Sequence, residues 1–247
     1  SDLDFVIFAD NPQAYVEPGD WVRKFGTVVL TFVEPAAEGS AQERRVMYAG
    51  GLDVDFAFFP LEMISRILNH EVSDATYNAL SRGVKVLFDK DGMIEEFLKH
   101  GFKKFYSKPP VLNEYINCVN DFWFHAVWTA KHLRRGEIFW AKSGCDGRLK
   151  DLLRRMLDWH TRATKSRKRD TWFRGRFLEE WADPRAIKEL GEAYARYDAS
   201  DIWRALINTM DLFRWVAKET ATGLSYEYPI DADRYATALV LQLELDR

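Results

Sequence analysis

Four aspartates near the start of the chain carry its clearest chemical signal. Asp2-Leu3-Asp4 precedes the apolar run Phe5-Val6-Ile7-Phe8, and Asp53-Val54-Asp55 precedes Phe56-Ala57-Phe58-Phe59. Side chains two apart on a strand share a face, so each pair presents two carboxylates together at the mouth of a strand. If the two strands are neighbours, three or four carboxylates converge at one sheet edge and repel one another unless cations are bound. Hard divalent ions take carboxylate oxygens, and ions held this way grip phosphates. A single D-x-D reads better as an acidic strand end facing water. Two of them on two apolar strands, about fifty residues apart, favour a metal site. Their position at residues 2 and 4 predicts that the natural protein carries residues ahead of Ser1.

The elements that must position these groups are α/β in character. Strands are expected over Asp4–Phe8, ended by Asp10-Asn11-Pro12, and over the β-branched run Thr27–Val33. Asp20–Gly26 reads as one or two helical turns stopped by glycine, and Glu34–Glu43 as a loop. Arg45–Ala49 and Leu52–Phe59 form a hairpin around Gly50-Gly51, followed by a helix from Pro60-Leu61-Glu62 through Ile67. Val84–Phe88 reads as a further strand, ended by Asp89-Lys90-Asp91-Gly92.

Lys108-Pro109-Pro110 marks a boundary, beyond which the pattern is helical. Steps of three and four run through Leu112, Tyr115, Val119, Phe122 and Leu133, and again through Leu149, Leu153 and Met156. Asp183-Pro184 caps a helix through Tyr194, Ile202–Thr222 is closed by Gly223, and Asp231 caps the last helix through Leu245. The fold class expected is α+β. A mixed β-sheet with flanking helices occupies 1–109 and an all-α helical, antiparallel bundle occupies 110–247.

Hydrophobic residues are 47%, charged residues 30% and aromatics 15%, with nine Trp, enough for a large core and an aromatic-lined pocket. The net charge of -3 argues against nucleic acid as a partner, and no apolar run approaches the ~20 residues that span a bilayer. Cys118 and Cys145 lack metal-ligand spacing and read as free thiols in a reducing, cytoplasmic setting. The five histidines make no metal pattern. Arg162–Arg176 is strongly basic and reads first as a solvated loop, second as a phosphate-contacting segment.

Several segments, taken in order, resemble one family. They are Asp2-Leu3-Asp4-Phe5-Val6-Ile7, Asp20–Gly26, Asp55-Phe56-Ala57-Phe58-Phe59-Pro60-Leu61-Glu62, Val86–Asp91, Asn120-Asp121-Phe122-Trp123, Ala130-Lys131 and Leu133-Arg134-Arg135-Gly136-Glu137-Ile138. The set is similar to the aminoglycoside 6-adenylyltransferase (streptomycin adenylyltransferase) family, within the polymerase-β-like nucleotidyltransferases, over nearly the whole chain. The resemblance implies a nucleotidyltransferase sheet followed by a bundle, with ATP and acceptor in the cleft between them. It implies Mg²⁺-dependent transfer of AMP from ATP to an aminoglycoside hydroxyl, with two ions and pyrophosphate as leaving group. Asp2 and Asp4 match the paired metal ligands, and Asp55 the third carboxylate and candidate base; Asp53 is its nearest rival.

Lys131 and Lys142 are candidates for the nucleotide phosphates, weighed against surface solubility. Asp121, Glu114 and Trp128 are candidates for a polycationic acceptor, weighed against a solvated helix face. One departure stands out: the Gly-Ser phosphate segment expected just before the D-x-D is not in this chain. Residues ahead of Ser1 are expected to supply it. The alternatives are a catalytically silent relative that binds nucleotide or a partner, and an adenylyltransferase for another small-molecule or protein hydroxyl. Sequence leaves the oligomeric state open.

Overall fold

The computed structural model describes residues 2–36, 38, 41–90, 92, 94, 95, 98 and 108–245. The chain divides into two compact units, Ser1–Ser107 and Lys108–Arg247.

The first unit contains β1 (Asp2–Ala9), α1 (Gln13–Val16), a 3₁₀ helix (Gly19–Phe25), β2 (Val28–Pro35), β3 (Gln42–Tyr48), β4 (Leu52–Pro60), α2 (Glu62–Leu68) and α3 (Asp74–Leu80). Its sheet has the order β1-β4-β3-β2. β1 runs parallel to β4, while β3 is antiparallel to both β4 and β2. The sheet is mixed, as expected. The turn between β3 and β4 falls at Gly50 and Gly51, whose φ angles of 92° and 80° only glycine takes without strain.

One face of this sheet is the core. Val54, Phe56 and Phe58 of β4 and Val46 and Tyr48 of β3 bury against Val16 and Val22, with Trp21 packed on the cluster. Phe5 stacks on Phe56 at 5.3 Å. Two polar groups pin the covering segments. The Tyr48 hydroxyl donates to Val22 O at 2.9 Å, and buried Arg44 donates to Val16 O at 3.1 Å and to Thr31 Oγ1 at 3.2 Å. The bond to Val16 O satisfies a carbonyl at the open end of α1, and the bond to the Thr31 hydroxyl ties Arg44 to β2.

Two expectations for this unit are corrected. The loop over Glu34–Glu43 is shorter, because β2 runs to Pro35 and β3 begins at Gln42. The ladder continues through Glu34 opposite Glu43 and Pro35 opposite Gln42, with Arg45 pairing both glutamates. Val84–Phe88 is not a strand: it joins no sheet among the described residues, and Val84, Leu87 and Phe88 are exposed. Its β-branched content favours extended backbone, but a strand needs an edge to pair with and a face to bury. In the adjoining turn, Asp91 lies outside the described residues, while the Asp89 carboxylate accepts from the N–H groups of Ile94 and Glu95 at 2.8 and 2.9 Å.

The second unit contains α4 (Leu112–Arg134), α5 (Ile138–Ser143), a π-helical turn (Gly144–Arg148), α6 (Leu149–Thr164), α7 (Leu178–Trp181), α8 (Pro184–Ala193), α9 (Ala199–Leu224) and α10 (Ile230–Leu245). The apolar stripes of α4, α6 and α9 form its core, where Phe122 stacks on Phe213 and Trp123, Leu153, Met156 and Trp203 are fully buried. Asp183 caps α8 as expected, accepting from Arg185 N with Pro184 in the first turn.

Two helix boundaries differ from expectation. α9 continues through Gly223 to Leu224 and ends at Ser225, whose φ is 59°. Gly223 serves close packing instead, since a Cβ there would lie 3.0 Å from Ala163 Cβ and 3.1 Å from Ala163 O. Asp231 sits inside the first turn of α10, which starts at Ile230 directly after Pro229. Among the described residues no helix is long and apolar enough to cross a membrane.

Candidate active site

Pairing of β1 with β4 sets Asp2 opposite Asp53 and Asp4 opposite Asp55. Neighbouring strands lie about 4.8 Å apart, so two D-x-D pairs 51 positions apart in sequence become one square of carboxylates. All four project from the face opposite the Phe5–Phe56 core, because their phase is opposite to that of the core residues. The same face receives Glu43 and Arg45 from β3 and Glu34 from β2, in register with one another and with β4. Among the described residues of the four strands, six carboxylates therefore share this face with one arginine.

Arg45 is the hub of the face. It pairs with Glu34, with Glu43 at 2.9 Å and with Asp55 at 3.4 Å. Asp55 is held where charge is hard to carry. Burial pushes its carboxyl above the usual carboxylate range, Arg45 opposes this, and the neighbouring Asp4 and Asp53 push it up further. Burial likewise raises Glu43, against the pull of Arg45. Asp55 Oδ1 is buried and has no hydrogen-bond partner. A buried carboxylate oxygen left without a donor is costly, and a bound cation is one way to satisfy it.

The donor set fits a hard divalent ion, since every candidate ligand offers oxygen. The side chains are nonetheless apart. Among the described residues no three His, Cys, Asp or Glu groups are gathered closely enough to hold a metal ion. Strand register brings the carboxylates to one place, and mutual repulsion favours rotamers that keep them separated.

The bundle candidates fall into different settings. Asp121 on α4 is half-buried; it pairs with Arg148, and His125 Nδ1 lies 2.6 Å from Asp121 Oδ1. Trp128 belongs to an aromatic group with His132, at 3.9 Å between ring centroids, and Trp140, at 5.5 Å. Glu114 accepts from Val111 N at 2.9 Å, a bond that starts α4. Lys131 is exposed on the last turns of α4. Lys142 pairs with Asp146 and donates to Ala195 O at 2.5 Å. Cys118 and Cys145 are free and buried, and burial pushes the Cys118 thiol up to about 12, which leaves it protonated and inert.

Sequence reasoning missed two features of this chemistry. Arg45 carries the counter-charge of the acidic face, and its signal was the phase Glu43-x-Arg45 in a strand antiparallel to Asp53-x-Asp55. Trp140, 53% exposed beside Trp128, makes with His132 an open aromatic corner on the bundle. No periodic pattern in the sequence announces that corner, because it joins α4 to α5 across a turn.

Comparison with known proteins gives this arrangement a context. A family profile described as Streptomycin adenylyltransferase matches residues 1–242. An aminoglycoside 6-adenylyltransferase of Bacillus subtilis is 25% identical over 235 residues, which cover 92% of this chain and 79% of that protein. One from Campylobacter jejuni is 22% identical, covering 98% of this chain and 82% of the relative. A crystal structure of an aminoglycoside 6-adenyltransferase from Bacillus subtilis has the same fold, with a TM-score of 0.50 at 20% identity, covering 98% of this chain and 88% of that one.

Proposed function

The chain belongs to the streptomycin adenylyltransferase family, a family of adenylyltransferase enzymes that implies ATP as co-substrate, and from that premise we propose that it moves AMP from ATP to a hydroxyl of an aminoglycoside such as streptomycin. The observation that supports the reading best is the β1–β4 register, which sets Asp4 against Asp55 and Asp2 against Asp53. Asp2, Asp4 and Asp55 are the residues that would hold magnesium. When bound there, it supplies charge neutralisation for the triphosphate and polarises the phosphoryl group.

The protein's own groups do the rest. The acceptor hydroxyl oxygen forms a bond to the α-phosphorus, the bond from that phosphorus to the bridging oxygen of pyrophosphate breaks, and the hydroxyl proton passes to a base. Asp55 suits that role, because burial and its acidic neighbours raise its affinity for a proton. Arg45, at 3.4 Å, limits that rise and fixes the carboxylate. On the bundle, Asp121, Glu114 and Trp128 are the proposed contacts for ammonium or guanidinium groups of the acceptor. Lys131 and Lys142 are the proposed nucleotide contacts.

Incubation with labelled ATP, Mg²⁺ and a panel of aminoglycosides tests the reading. Transfer to streptomycin that is lost in Asp4→Ala and Asp55→Ala is the expected result. Normal transfer by either variant would remove the ligand assignment. Transfer only to another hydroxyl compound would keep the enzyme and change the acceptor.

A further inference from the structure

The basic segment between α6 and α7 is left unexplained by the carboxylate site. Residues 162–176 hold seven Lys or Arg and one acid, Asp170, in a chain whose net charge is -3. Its charges are unusual for this protein. Several arginines elsewhere in the same unit are matched to carboxylates, as Arg185 is to Glu189 and Arg214 to Asp233. Among the described residues Arg167, Lys168, Arg174 and Arg176 make no ion pair, and all four are exposed.

The segment is also built, which a merely solvated loop would not need. Buried Thr171 bonds to Asp158, and Arg162 ties both together at 2.6 and 2.7 Å. Buried Trp181 donates from Nε1 to Arg176 O at 2.9 Å, and Arg169 donates to Glu180 O at 2.8 Å. Arg174 and Phe177 take φ angles of 50° and 54° on either side of Gly175-Arg176. Left-handed backbone at a non-glycine residue costs on the order of 1 kcal/mol or more and persists where the surroundings enforce it. Beside this backbone, Arg174 lies 5.3 Å from the Phe173 ring and Arg176 5.9 Å from the Phe177 ring.

We propose that Arg167–Arg176 is a polyphosphate-binding surface, with Arg174 and Arg176 as its principal contacts. Guanidinium groups pair with phosphate oxygens through two parallel N–H donors, and clustered arginines without carboxylates are the usual setting for such pairing. The patch is short, because Glu179, Glu180 and Asp183 close it off at the start of α7 and α8. A compact polyanion suits that limit better than an extended nucleic-acid strand, which needs a basic track along its length.

Calorimetric titration of the full chain with inorganic tripolyphosphate, ATP and AMP tests the proposal, using wild type, Arg174→Gln/Arg176→Gln and a charge control, Arg234→Gln. Both side chains are exposed and only the Arg176 carbonyl is structural, so thermal melting of the double variant should match wild type. The double variant is expected to bind tripolyphosphate and ATP about tenfold or more weakly. AMP binding should hold, and Arg174→Lys/Arg176→Lys should recover part of the loss. Unchanged tripolyphosphate affinity would overturn the proposal. So would a loss confined to a short single-stranded RNA or to phosphatidylserine vesicles. If tripolyphosphate binding falls but no hydroxyl accepts AMP, the anchor stands and the transfer reading fails. If transfer is normal and tripolyphosphate binding is unaltered, the reverse holds.

Discussion

Replacing Asp55 with Asn should make the protein more stable and less active at once. The side chain of Asp55 is 19% exposed, and its strand neighbours Asp4 and Asp53 carry the same charge. Two unit charges about 5 Å apart repel by about 0.8 kcal/mol in water and about 3.3 kcal/mol at an effective dielectric of about 20. Asp4 is exposed, so the watery limit is the better guide and each neighbour costs about 1 kcal/mol. Arg45 offsets about 1 kcal/mol of this, but it divides its attraction among Glu34, Glu43 and Asp55. Burial adds to the cost of the charge. The net gain on neutralising Asp55 is about 1 kcal/mol, or about 2–4 °C in Tm for a chain of this size. Calorimetry without divalent ions should show that rise. Mg²⁺ should then lift the wild type by up to about 2.7 kcal/mol at a hundredfold excess over its Kd, and leave the variant unmoved. Transfer should fall by about 10²-fold or more. A variant less stable than wild type without ions, or one stabilised by Mg²⁺ as much as wild type, would refute the electrostatic account of this face.

Other consequences concern the bundle. Gly223→Ala gains about 1 kcal/mol of helix propensity but sets a methyl 3.0 Å from Ala163 Cβ, an overpacking cost of about 1–3 kcal/mol. Denaturant titration should show a net loss of about 1 kcal/mol, relieved when Ala163→Gly is added. Glu114→Ala removes the bond to Val111 N and should cost about 0.5–1 kcal/mol by the same measurement. Asp201 is held well below the usual carboxylate range by the Arg204 guanidinium and the Arg196 N–H. A carboxyl depressed in the fold contributes stability that is present above the unfolded range and lost as pH falls through the folded value. The stability difference between wild type and Asp201→Asn should therefore be largest near neutral pH and shrink in acid.

How much the sequence disclosed depends on the physics of each signal. Strands with one buried face announce themselves by alternation, so β1, β2 and the β3–β4 hairpin were legible, and Gly50-Gly51 located the turn. Val84–Phe88 has the composition of a strand without a partner, and composition carries no information about partners. The ends of α9 and α10 were misplaced because Gly223 and Asp231 have local meanings that tertiary context overrode: Gly223 makes room for Ala163, and Pro229 sets the start of α10. The carboxylate square was half legible. Each D-x-D was visible, but that Asp4 meets Asp55 depends on β1 choosing β4 over β2 as neighbour, a long-range choice. Arg45 had only the phase Glu43-x-Arg45 as a signal, and that phase acquires meaning in the pairing of three strands.

That long-range choice explains why the acidic face is tolerable at all. β1 and β4 are parallel, so the chain must cross over between them, and here the crossover carries β2 and β3. The hairpin that closes the crossover sets Arg45 opposite Asp55 and brings Glu34 and Glu43 onto the same guanidinium. The counter-charge that steadies Asp55 therefore comes from the segment that brings Asp55 to Asp4. It leaves Asp55 Oδ1 unsatisfied, and burial together with acidic neighbours still pushes Asp55 and Glu43 upward. A sheet face left this acidic is a poor choice for stability alone. Arg45→Met should accordingly do the opposite of Asp55→Asn, lowering stability without divalent ions and increasing the stabilisation that Mg²⁺ provides. Loss of stability that Mg²⁺ does not restore would show that Arg45 serves packing and not charge balance.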